Sequence, residues 1–349
     1  MAKKTDLSVI YSALPGRLLP WFAQHARKLP WRENKNPYHV WLSEIMLQQT
    51  RVEAVRSYFS RFLSAFPTVC ALAEAEEDAV LKLWEGLGYY SRARNLHKAA
   101  KKIASEYGGQ FPGTYDAILS LPGVGEYTAG AVSSICFETP TPAVDGNVLR
   151  VASRITNSDL PIDRPDVKKD ITENLRRIYP TGACGDFTQS LMELGATVCI
   201  PKAPRCTLCP LSDICLGHKA GTSASLPVKS PKKKRRIEEK TVFFLTLNDT
   251  IALRKRKASG LLASLWELPN VEGHFSAHEA VQYLETLGLC PEAPTRELRR
   301  VHIFTHVEWH MVCYYIPVRQ ATDAFIWANR AARTTEYALP TAFRMFLEE

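Results

Sequence analysis

Two kinds of hydrophobic pattern divide this chain. In its first part, apolar residues recur at three- and four-residue spacing, which is the pattern of amphipathic helices. It predicts helices over 14–28, 37–50, 51–64, 69–83, 95–107, 127–134, 148–156, 165–178 and 186–198. From residue 240, β-prone residues alternate with polar ones and predict strands over 241–247, 250–254, 302–307 and 310–316. Helices are predicted there over 276–287 and near 340–348. We therefore expect a mostly helical first domain and a mixed α/β second domain.

The segment between the two patterns has the composition of a flexible joint. Residues 217–230 are rich in Gly, Ser, Thr and Pro, and the basic run Lys232-Lys-Lys-Arg-Arg236 follows. Such a run favours binding to phosphate, and a nuclear-targeting signal is the weaker interpretation. We place the first domain at 1–218, a basic flexible linker at 219–239 and the second domain at 240–349.

Composition narrows the class of protein. The chain has 349 residues, 46% of them hydrophobic, which is enough for two folded domains. Its formal net charge of +8 favours an acidic polymer as partner. No run approaches the eighteen apolar residues of a membrane span, and the first residues lack the apolar core of a signal peptide.

A glycine-rich turn separates two of the predicted helices. It reads Leu121-Pro-Gly-Val-Gly125. Pro122 cannot continue a helix, and Gly123 and Gly125 permit a tight turn. Backbone N–H groups at the start of the next helix then form an anion site suited to a phosphate. The pattern is typical of a helix-hairpin-helix that holds a nucleic-acid backbone without reading bases, and an ordinary helical corner is the alternative.

Two carboxylates occur in patterns that suit catalysis. Glu44 belongs to a helix that is apolar nearly all the way round. Burial raises the pKa of such a carboxyl and prepares it to act as a general acid, whereas a structural glutamate paired with an arginine is the alternative. Asp145 precedes Gly-Asn-Val-Leu-Arg and is predicted to be the N-cap of the next helix. Beyond capping, it would hold a carboxylate beside a bound strand.

A second glycine-containing loop and a cysteine cluster complete the candidate chemistry. Gly86-Leu-Gly-Tyr-Tyr-Ser-Arg-Ala-Arg94 suits stacking on bases and contact with phosphates, or is merely a turn between helices. Four of the nine cysteines are Cys199, Cys206, Cys209 and Cys215. Four thiolates so close in sequence suit one metal centre, and zinc and an iron–sulfur cluster both fit by ligand type. The odd cysteine count favours a reducing compartment over a disulfide framework.

Six motifs, taken together, resemble the adenine DNA glycosylase (MutY) family of the helix-hairpin-helix superfamily. They are Leu29-Pro-Trp-Arg32, Ser43-Glu-Ile-Met-Leu-Gln-Gln-Thr50, Gly86-Leu-Gly-Tyr-Tyr-Ser-Arg-Ala-Arg94, Leu121-Pro-Gly-Val-Gly-Glu-Tyr-Thr128, Val144-Asp-Gly-Asn-Val148 and the four-cysteine loop. The resemblance implies a helix-hairpin-helix glycosylase domain with one 4Fe–4S cluster held by the four cysteines. It also implies, as partner, double-stranded DNA with adenine opposite 8-oxoguanine or guanine. The flipped adenine would be excised.

The resemblance also assigns roles to individual residues. Glu44 would be the general acid, and Asp145 would stabilise the oxocarbenium ion or act as nucleophile. Tyr127, expected to bond near Asp145, stands where strand-cutting relatives carry a lysine, so we expect little or no lyase activity. The adenine pocket would include Arg32 and Gln189. DNA would be contacted or entered by Leu47, Gln48, Gln49, Tyr89, Gly123 and Gly125.

The second domain carries a further resemblance. Gly260-Leu-Leu-Ala-Ser-Leu-Trp-Glu-Leu-Pro269 is similar to the nudix-like domain of the same family. The following helix has Gln282 and Thr286 where hydrolytic nudix enzymes have metal-binding glutamates, so we expect no nucleotide hydrolysis. The resemblance assigns 8-oxoguanine recognition to Phe304, Thr305 and His306, although the family has a serine where this chain has Thr305.

Two other interpretations stay open. One is an endonuclease III-like pyrimidine glycosylase and lyase, against which Tyr127 and the second domain argue. The other is a DNA-binding protein without catalysis, against which the presence of both Glu44 and Asp145 argues. We expect a monomeric cytoplasmic enzyme of bacterial type, associated with the nucleoid through DNA.

Overall fold

The computed structural model describes residues 7–231 and 234–347. The chain divides into two compact units, of which the first comprises Met1–Ala73 and Lys98–Pro231 and the second comprises Glu74–His97 and Lys232–Glu349. The segment Glu74–His97, which we predicted to belong to the first domain, is therefore part of the second unit. No helix of the described residues is both long and apolar enough to cross a membrane.

Among the described residues, helices are the only regular elements up to Lys219, and strands with three further helices follow from residue 236. The helices are α1 (Leu7–Ser12), α2 (Leu14–His25), α3 (Pro37–Leu47), α4 (Val52–Ala65), α5 (Val69–Glu74), α6 (Glu77–Leu83), α7 (Ser91–Glu106), α8 (Tyr115–Leu119), α9 (Glu126–Phe137), α10 (Gly146–Ile155), α11 (Pro165–Arg176), α12 (Cys184–Thr197), α13 (Leu216–Lys219), α14 (Ala277–Thr286), α15 (Arg330–Thr335) and α16 (Thr341–Arg344). The strands are β1 (Arg236–Leu247), β2 (Thr250–Lys255), β3 (Trp266–Glu267), β4 (Asn270–Glu272), β5 (Arg296–Ile303), β6 (Val307–Pro317) and β7 (Ile326–Ala328).

The helix ends follow local chemistry. Helix α3 begins where the Asn36 side chain accepts a hydrogen bond from Tyr38 N and Pro37 takes the first helical position. It ends at Leu47, earlier than predicted, because Gln49 has a left-handed φ of 58°. The single helix predicted over 69–83 is broken into α5 and α6. Glu76 is extended there, and the acidic residues that follow it favour a new helix N-terminus.

The core of the first unit lies among helices α2, α10 and α12. It includes the buried side chains of Leu18, Val151 and Leu191. Helix α9 approaches the chain before α10 so closely that a Cβ on Gly130 would lie 2.4 Å from the carbonyl oxygen of Pro142. The connection between α9 and α10 therefore packs directly against helix α9.

The second unit is built on a mixed sheet with strand order β3-β2-β1-β6-β5, in which β1 and β6 are parallel. Successive residues of β1 face opposite sides, so Val242 enters a core with Trp309 and Phe343 while Phe243 enters a core with Leu284 of α14. The strand predicted over 302–307 is wrong, because β5 ends at Ile303 and β6 begins at Val307.

The linker is shorter than predicted. Strand β1 begins at Arg236 and pairs from there with β6, so residues 236–239 belong to the sheet. On the other side, Leu226 is buried and the carbonyl of Val228 accepts a hydrogen bond from Ile162 N at 3.1 Å. Two residues of the predicted basic run, 232 and 233, lie outside the described residues.

Candidate active site

Glu44 is a buried acid in the penultimate turn of α3. The residue is 6% exposed, and its neighbours on either side in the helix are buried as well. The pKa of Glu44 is raised to about 7, mainly by burial and further by the charge of Asp145. The hydrogen bond from Tyr127 and the charge of Arg32 lower it, but they do not cancel the rise. A carboxyl with this pKa carries its proton in a large fraction of molecules at neutral pH.

Asp145 is the predicted N-cap, and the structure confirms it. One carboxylate oxygen, Oδ1, accepts hydrogen bonds from Asn147 N at 2.9 Å and Val148 N at 2.8 Å. The other, Oδ2, accepts one from Asn147 Nδ2 at 2.7 Å. Burial raises the pKa of Asp145 above its ordinary value, although these three hydrogen bonds and the charge of Arg150 act in the opposite direction.

Tyr127 lies close to both carboxylates. Its hydroxyl donates to Glu44 Oε2 rather than bonding to Asp145, whose two oxygens already accept bonds within its own cap. Burial raises the pKa of Tyr127 well above its ordinary value, and the charges of Glu44 and Asp145 raise it further. The three side chains therefore converge on one site from α3, α9 and the start of α10.

Asp145 is held in place by a longer chain of hydrogen bonds that the sequence analysis missed. Asn147 Oδ1 accepts a bond from Arg150 Nη2 at 2.8 Å. Arg150 in turn donates to the carbonyl of Gly195 at 2.7 Å and to that of Cys199 at 2.8 Å. The Cys199 carbonyl thus helps to orient Arg150, and Arg150 orients the Asn147 side chain that donates to Asp145.

A buried acid on α12 was also missed. The Glu193 side chain is 0% exposed and accepts hydrogen bonds from Arg32 Nη2 at 2.9 Å and from Arg27 Nε at 2.6 Å. Gln189 lies one turn before Glu193 on the same helix face. Arg32 thus has Glu193 as partner while its charge also acts on Glu44. The charged residue in the apolar run Leu191-Met-Glu-Leu194 was the clue that could have identified Glu193.

The predicted hairpin forms, with α8 ending at Leu119 and α9 beginning at Glu126. Gly123 has a φ of 75° and is exposed, and Gly125 is the N-cap of α9 with open space where a Cβ would stand. The end of α3 lies against this helix start, because Gln48 Nε2 donates to Thr128 Oγ1 at 3.3 Å. Leu47 is half-buried and Gln49 exposed.

The remaining predicted DNA-contacting residues lie in the second unit. Tyr89 has a φ of 48°, and its hydroxyl lies 3.2 Å from Thr305 Oγ1. Phe304 turns inward, with its ring 4.9 Å from that of Trp309, whereas His306 is exposed. The structure therefore brings Tyr89 and Thr305 together, while the half-buried Phe304 packs against the edge of the core of the domain.

The four clustered cysteines line one cavity. Arg154 lies in the same cavity and donates to Cys199 Sγ at 3.2 Å. All nine cysteines are free thiols. Within residues 7–231 and 234–347, no group of three His, Cys, Asp or Glu side chains has metal-binding geometry. The donor set, four thiols around one apolar cavity with a guanidinium beside them, nevertheless fits a thiolate-bound metal centre.

Comparison with known proteins identifies the class. The profile of the HhH-GPD superfamily of base excision DNA repair proteins matches residues 42–177, and that of the NUDIX domain matches residues 241–349. A thermostable thymine-DNA glycosylase superposes with a TM-score of 0.56 at 27% identity, over 61% of this chain and 99% of its own. An endonuclease III in a non-covalent DNA complex superposes with a TM-score of 0.53 at 22% identity, over 63% of this chain and 99% of its own. The fold and the site define a helix-hairpin-helix base excision repair protein with a nudix-like second domain.

Relatives with long alignments identify the family. The adenine DNA glycosylase of Rattus norvegicus is 32% identical over 97% of this chain and 78% of its own length. The enzyme of Buchnera aphidicola subsp. Baizongia pistaciae is 36% identical over 86% of this chain and 84% of its own length. The enzyme of Homo sapiens is 34% identical over 85% of this chain and 65% of its own length. The chain belongs to the adenine DNA glycosylase family. It is a DNA repair enzyme that acts on DNA as an adenine-specific N-glycosylase.

Proposed function

We propose that the enzyme excises adenine that lies opposite 8-oxoguanine or guanine in duplex DNA, with Glu44 as general acid and Asp145 as the charge that stabilises the sugar. The single observation that carries this proposal is that Glu44, which accepts the hydrogen bond from Tyr127, lies close enough to Asp145 for the charge of Asp145 to act on it. Glu44 has a pKa of about 7, and the Asp145 carboxyl accepts three hydrogen bonds that favour its ionised form. Two carboxyls with different protonation are what glycoside hydrolysis requires.

Glu44 carries the proton in both halves of the reaction. Its carboxylic acid protonates a ring nitrogen of the flipped adenine, and the bond from the sugar C1′ to the base then breaks with its electron pair leaving on adenine. The Glu44 carboxylate that results accepts a proton from water as the water oxygen bonds to C1′. The products are free adenine and an abasic sugar, and Glu44 ends the cycle protonated.

Asp145 acts on the positive charge that develops on the sugar. The bonds from Asn147 and Val148 hold its carboxylate in one orientation, so no reorganisation is needed when that charge appears. The same oxygens are suited to a transient covalent bond to C1′. Arg32 and Gln189 line the adenine pocket in this proposal. This assignment is supported by the ion pair of Arg32 with Glu193 and by the position of Gln189 one turn before Glu193 on α12.

The hairpin and the end of α3 hold the DNA. Backbone N–H groups around Gly123 and Gly125 face a phosphate, and Leu47, Gln48 and Gln49 enter the duplex where the adenine has left it. Tyr127 offers no amine for a Schiff base, and its raised pKa keeps the phenol protonated. The strand should therefore stay intact after adenine is released. One copy of the chain suffices, because both carboxylates come from it.

Recognition of the opposite base belongs to the second unit in this proposal. Tyr89 and the turn of Phe304, Thr305 and His306 contact 8-oxoguanine, and the pairing of Tyr89 with Thr305 supports this assignment. Thr305 retains the hydroxyl donor of the family's serine. The four cysteines would hold one 4Fe–4S cluster, which when bound supplies a redox-active cross-link of the loop. Iron analysis and visible absorption distinguish such a cluster from zinc.

The experiment that tests the proposal measures single-turnover adenine release from three duplexes. In these duplexes adenine lies opposite 8-oxoguanine, guanine or thymine. We expect adenine release from the duplexes with 8-oxoguanine and guanine, fastest with 8-oxoguanine. The DNA strand should break only after treatment with alkali. Strand breaks without alkali would favour the endonuclease III-like alternative. Tight binding without base release would favour a DNA-binding protein that lacks catalysis.

A further inference from the structure

We propose that Lys82 and Glu85 form a clamp that positions the Tyr89 loop beside the turn at 304–306, and that this clamp sets the preference of the enzyme for 8-oxoguanine over guanine opposite adenine. The inference rests on the proposed function and assigns positioning residues to it. All of the contacts involved lie within the second unit, which joins Glu74–His97 to the C-terminal domain.

Lys82 is the first half of the clamp. It lies in the last turn of α6 with only 14% of its side chain exposed. Its ammonium donates to Glu85 Oε2 at 2.8 Å, to the carbonyl of Arg333 at 2.9 Å and to that of Tyr337 at 3.1 Å. An ammonium has three N–H donors, so each donor has a partner, and two of these partners are backbone groups of the C-terminal domain.

Glu85 is the second half. Its Oε1 accepts a hydrogen bond from Leu339 N at 2.8 Å, while Oε2 accepts from Lys82. The side chain is 16% exposed. An ion pair removed from water in this way is costly to break by removing one partner, because the other charge stays buried. The clamp therefore binds the segment that holds Tyr337 and Leu339 firmly.

That segment is packed continuously to the turn at 304–306. The carbonyl of Ala338 accepts a hydrogen bond from Trp266 N at 3.1 Å. Leu339 is buried in the same core as Trp309, and the ring of Phe304 packs on Trp309. Since a close-packed core transmits a displacement, a shift of the clamped segment would move the turn.

On its other side, the clamp leads directly into the Tyr89 loop. Gly86 and Gly88 have φ values of 97° and 74°, which only glycine adopts readily. Arg92 donates to the carbonyl of Gly88 at 3.1 Å, and its guanidinium lies 5.3 Å from the Trp84 ring and 5.7 Å from the Tyr89 ring. The loop is thus held in one shape from the clamp to Tyr89.

Other contacts between the same two parts are weaker or peripheral. Lys255 pairs with Asp78 at 2.7 Å, but their side chains are 44% and 38% exposed, and pairs so exposed contribute little. Arg94 donates to the carbonyl of Ala263. Of the two ion pairs, Lys82–Glu85 is the less exposed, and unlike Arg94 it bonds to the segment of Tyr337 and Leu339. We therefore assign to it the distance at which Tyr89 meets Thr305.

The test compares Lys82→Met and Glu85→Gln with the wild-type enzyme in full-length form. Single-turnover adenine release is measured on duplexes with adenine opposite 8-oxoguanine and opposite guanine. We expect the ratio of the two rates to fall by about tenfold in Lys82→Met, the equivalent of one buried charged hydrogen bond. The fall should be smaller in Glu85→Gln, which keeps an acceptor for Leu339 N. Release opposite guanine should stay near its wild-type rate in both.

Arg176→Met is the matched control, because Arg176 and Glu173 also form an i,i+3 pair but with side chains 50% and 45% exposed. It should leave the ratio unchanged. Thermal unfolding of each variant shows whether it is folded. A folded Lys82→Met enzyme with an unchanged ratio would overturn the inference, as would an equal loss on both duplexes. A wild-type enzyme that does not distinguish the duplexes would instead overturn the proposed function, and the role of the clamp with it.

Discussion

Removal of the Tyr127 hydroxyl should make the enzyme active at higher pH. Tyr127→Phe keeps the ring in place but deletes the donor that bonds to Glu44. That hydrogen bond lowers the pKa of Glu44 from the value that burial alone would give. Without it, Glu44 should hold its proton to higher pH. A general acid loses activity as pH rises through its pKa, so the alkaline decline in rate should move upward.

The size of the shift follows from the strength of the bond. A hydrogen bond to a charged group contributes about 1.5–3 kcal/mol, and one pKa unit corresponds to about 1.4 kcal/mol. The pKa of Glu44, about 7 in the wild-type protein, should therefore rise by roughly one to two units. The rate below neutrality should change much less, because Glu44 is already protonated there.

The assay is single-turnover adenine release measured across the neutral and alkaline range. Tyr179→Phe is a suitable control, since Tyr179 is also a tyrosine in a largely buried position but its hydroxyl pairs with Thr188 at 2.8 Å. It should leave the decline near pH 7. An alkaline decline that stays in place in Tyr127→Phe, or moves to lower pH, would refute the link between this hydrogen bond and Glu44.

Two further predictions concern stability. Burial raises the pKa of Glu193, but the hydrogen bonds and charges of Arg27 and Arg32 outweigh burial and lower the pKa overall. The ionised Glu193 therefore stabilises the folded protein at pH values above the pKa of Glu193 in the unfolded chain. That stabilisation is lost as the pH falls through the lower pKa of Glu193 in the folded protein. Glu193→Gln should therefore lower the free energy of unfolding by about 3 kcal/mol at neutral pH, and the variant should lose less stability than the wild type on acidification. Urea unfolding measures both effects. An equally steep decline of stability with falling pH in the variant would contradict this. Gly130→Ala should destabilise by about 1–3 kcal/mol, because its Cβ would lie 2.4 Å from Pro142 O. Gly16→Ala, with no atom within 4 Å, is the control and should not destabilise; equal melting temperatures for the two would count against the close contact.

Local chemistry in the sequence was sufficient to predict much of the fold. The start of α3 at Pro37 and the hairpin before α9 depend on residues within a few positions, and both form as expected. The N-cap at Asp145 is local in the same sense. The break between α5 and α6 was missed although the acidic run Glu74-Ala-Glu-Glu-Asp78 lies there, and the turn after Ile303 was missed because β-prone residues continue through Phe304 and Thr305.

Long-range pairing is what the sequence could not provide. The segment Glu74–His97 looks like any other helical stretch, and its place in the second unit depends on partners such as Tyr337, 255 positions from Lys82. Glu193 is likewise defined by Arg32, 161 positions away. Tyr127 was expected near Asp145 and bonds to Glu44, since only the folded cap reveals that the Asp145 oxygens are already occupied.

The central claim, that Glu44 supplies the proton on which adenine release depends, is tested most directly by Glu44→Gln. Glutamine keeps the size and hydrogen-bonding capacity of the side chain but has no proton to give. Single-turnover release of adenine opposite 8-oxoguanine should fall by at least about a hundredfold, within the range general acid catalysis contributes, while binding to the same duplex is retained. Release at a near-wild-type rate by a folded Glu44→Gln enzyme would contradict the account.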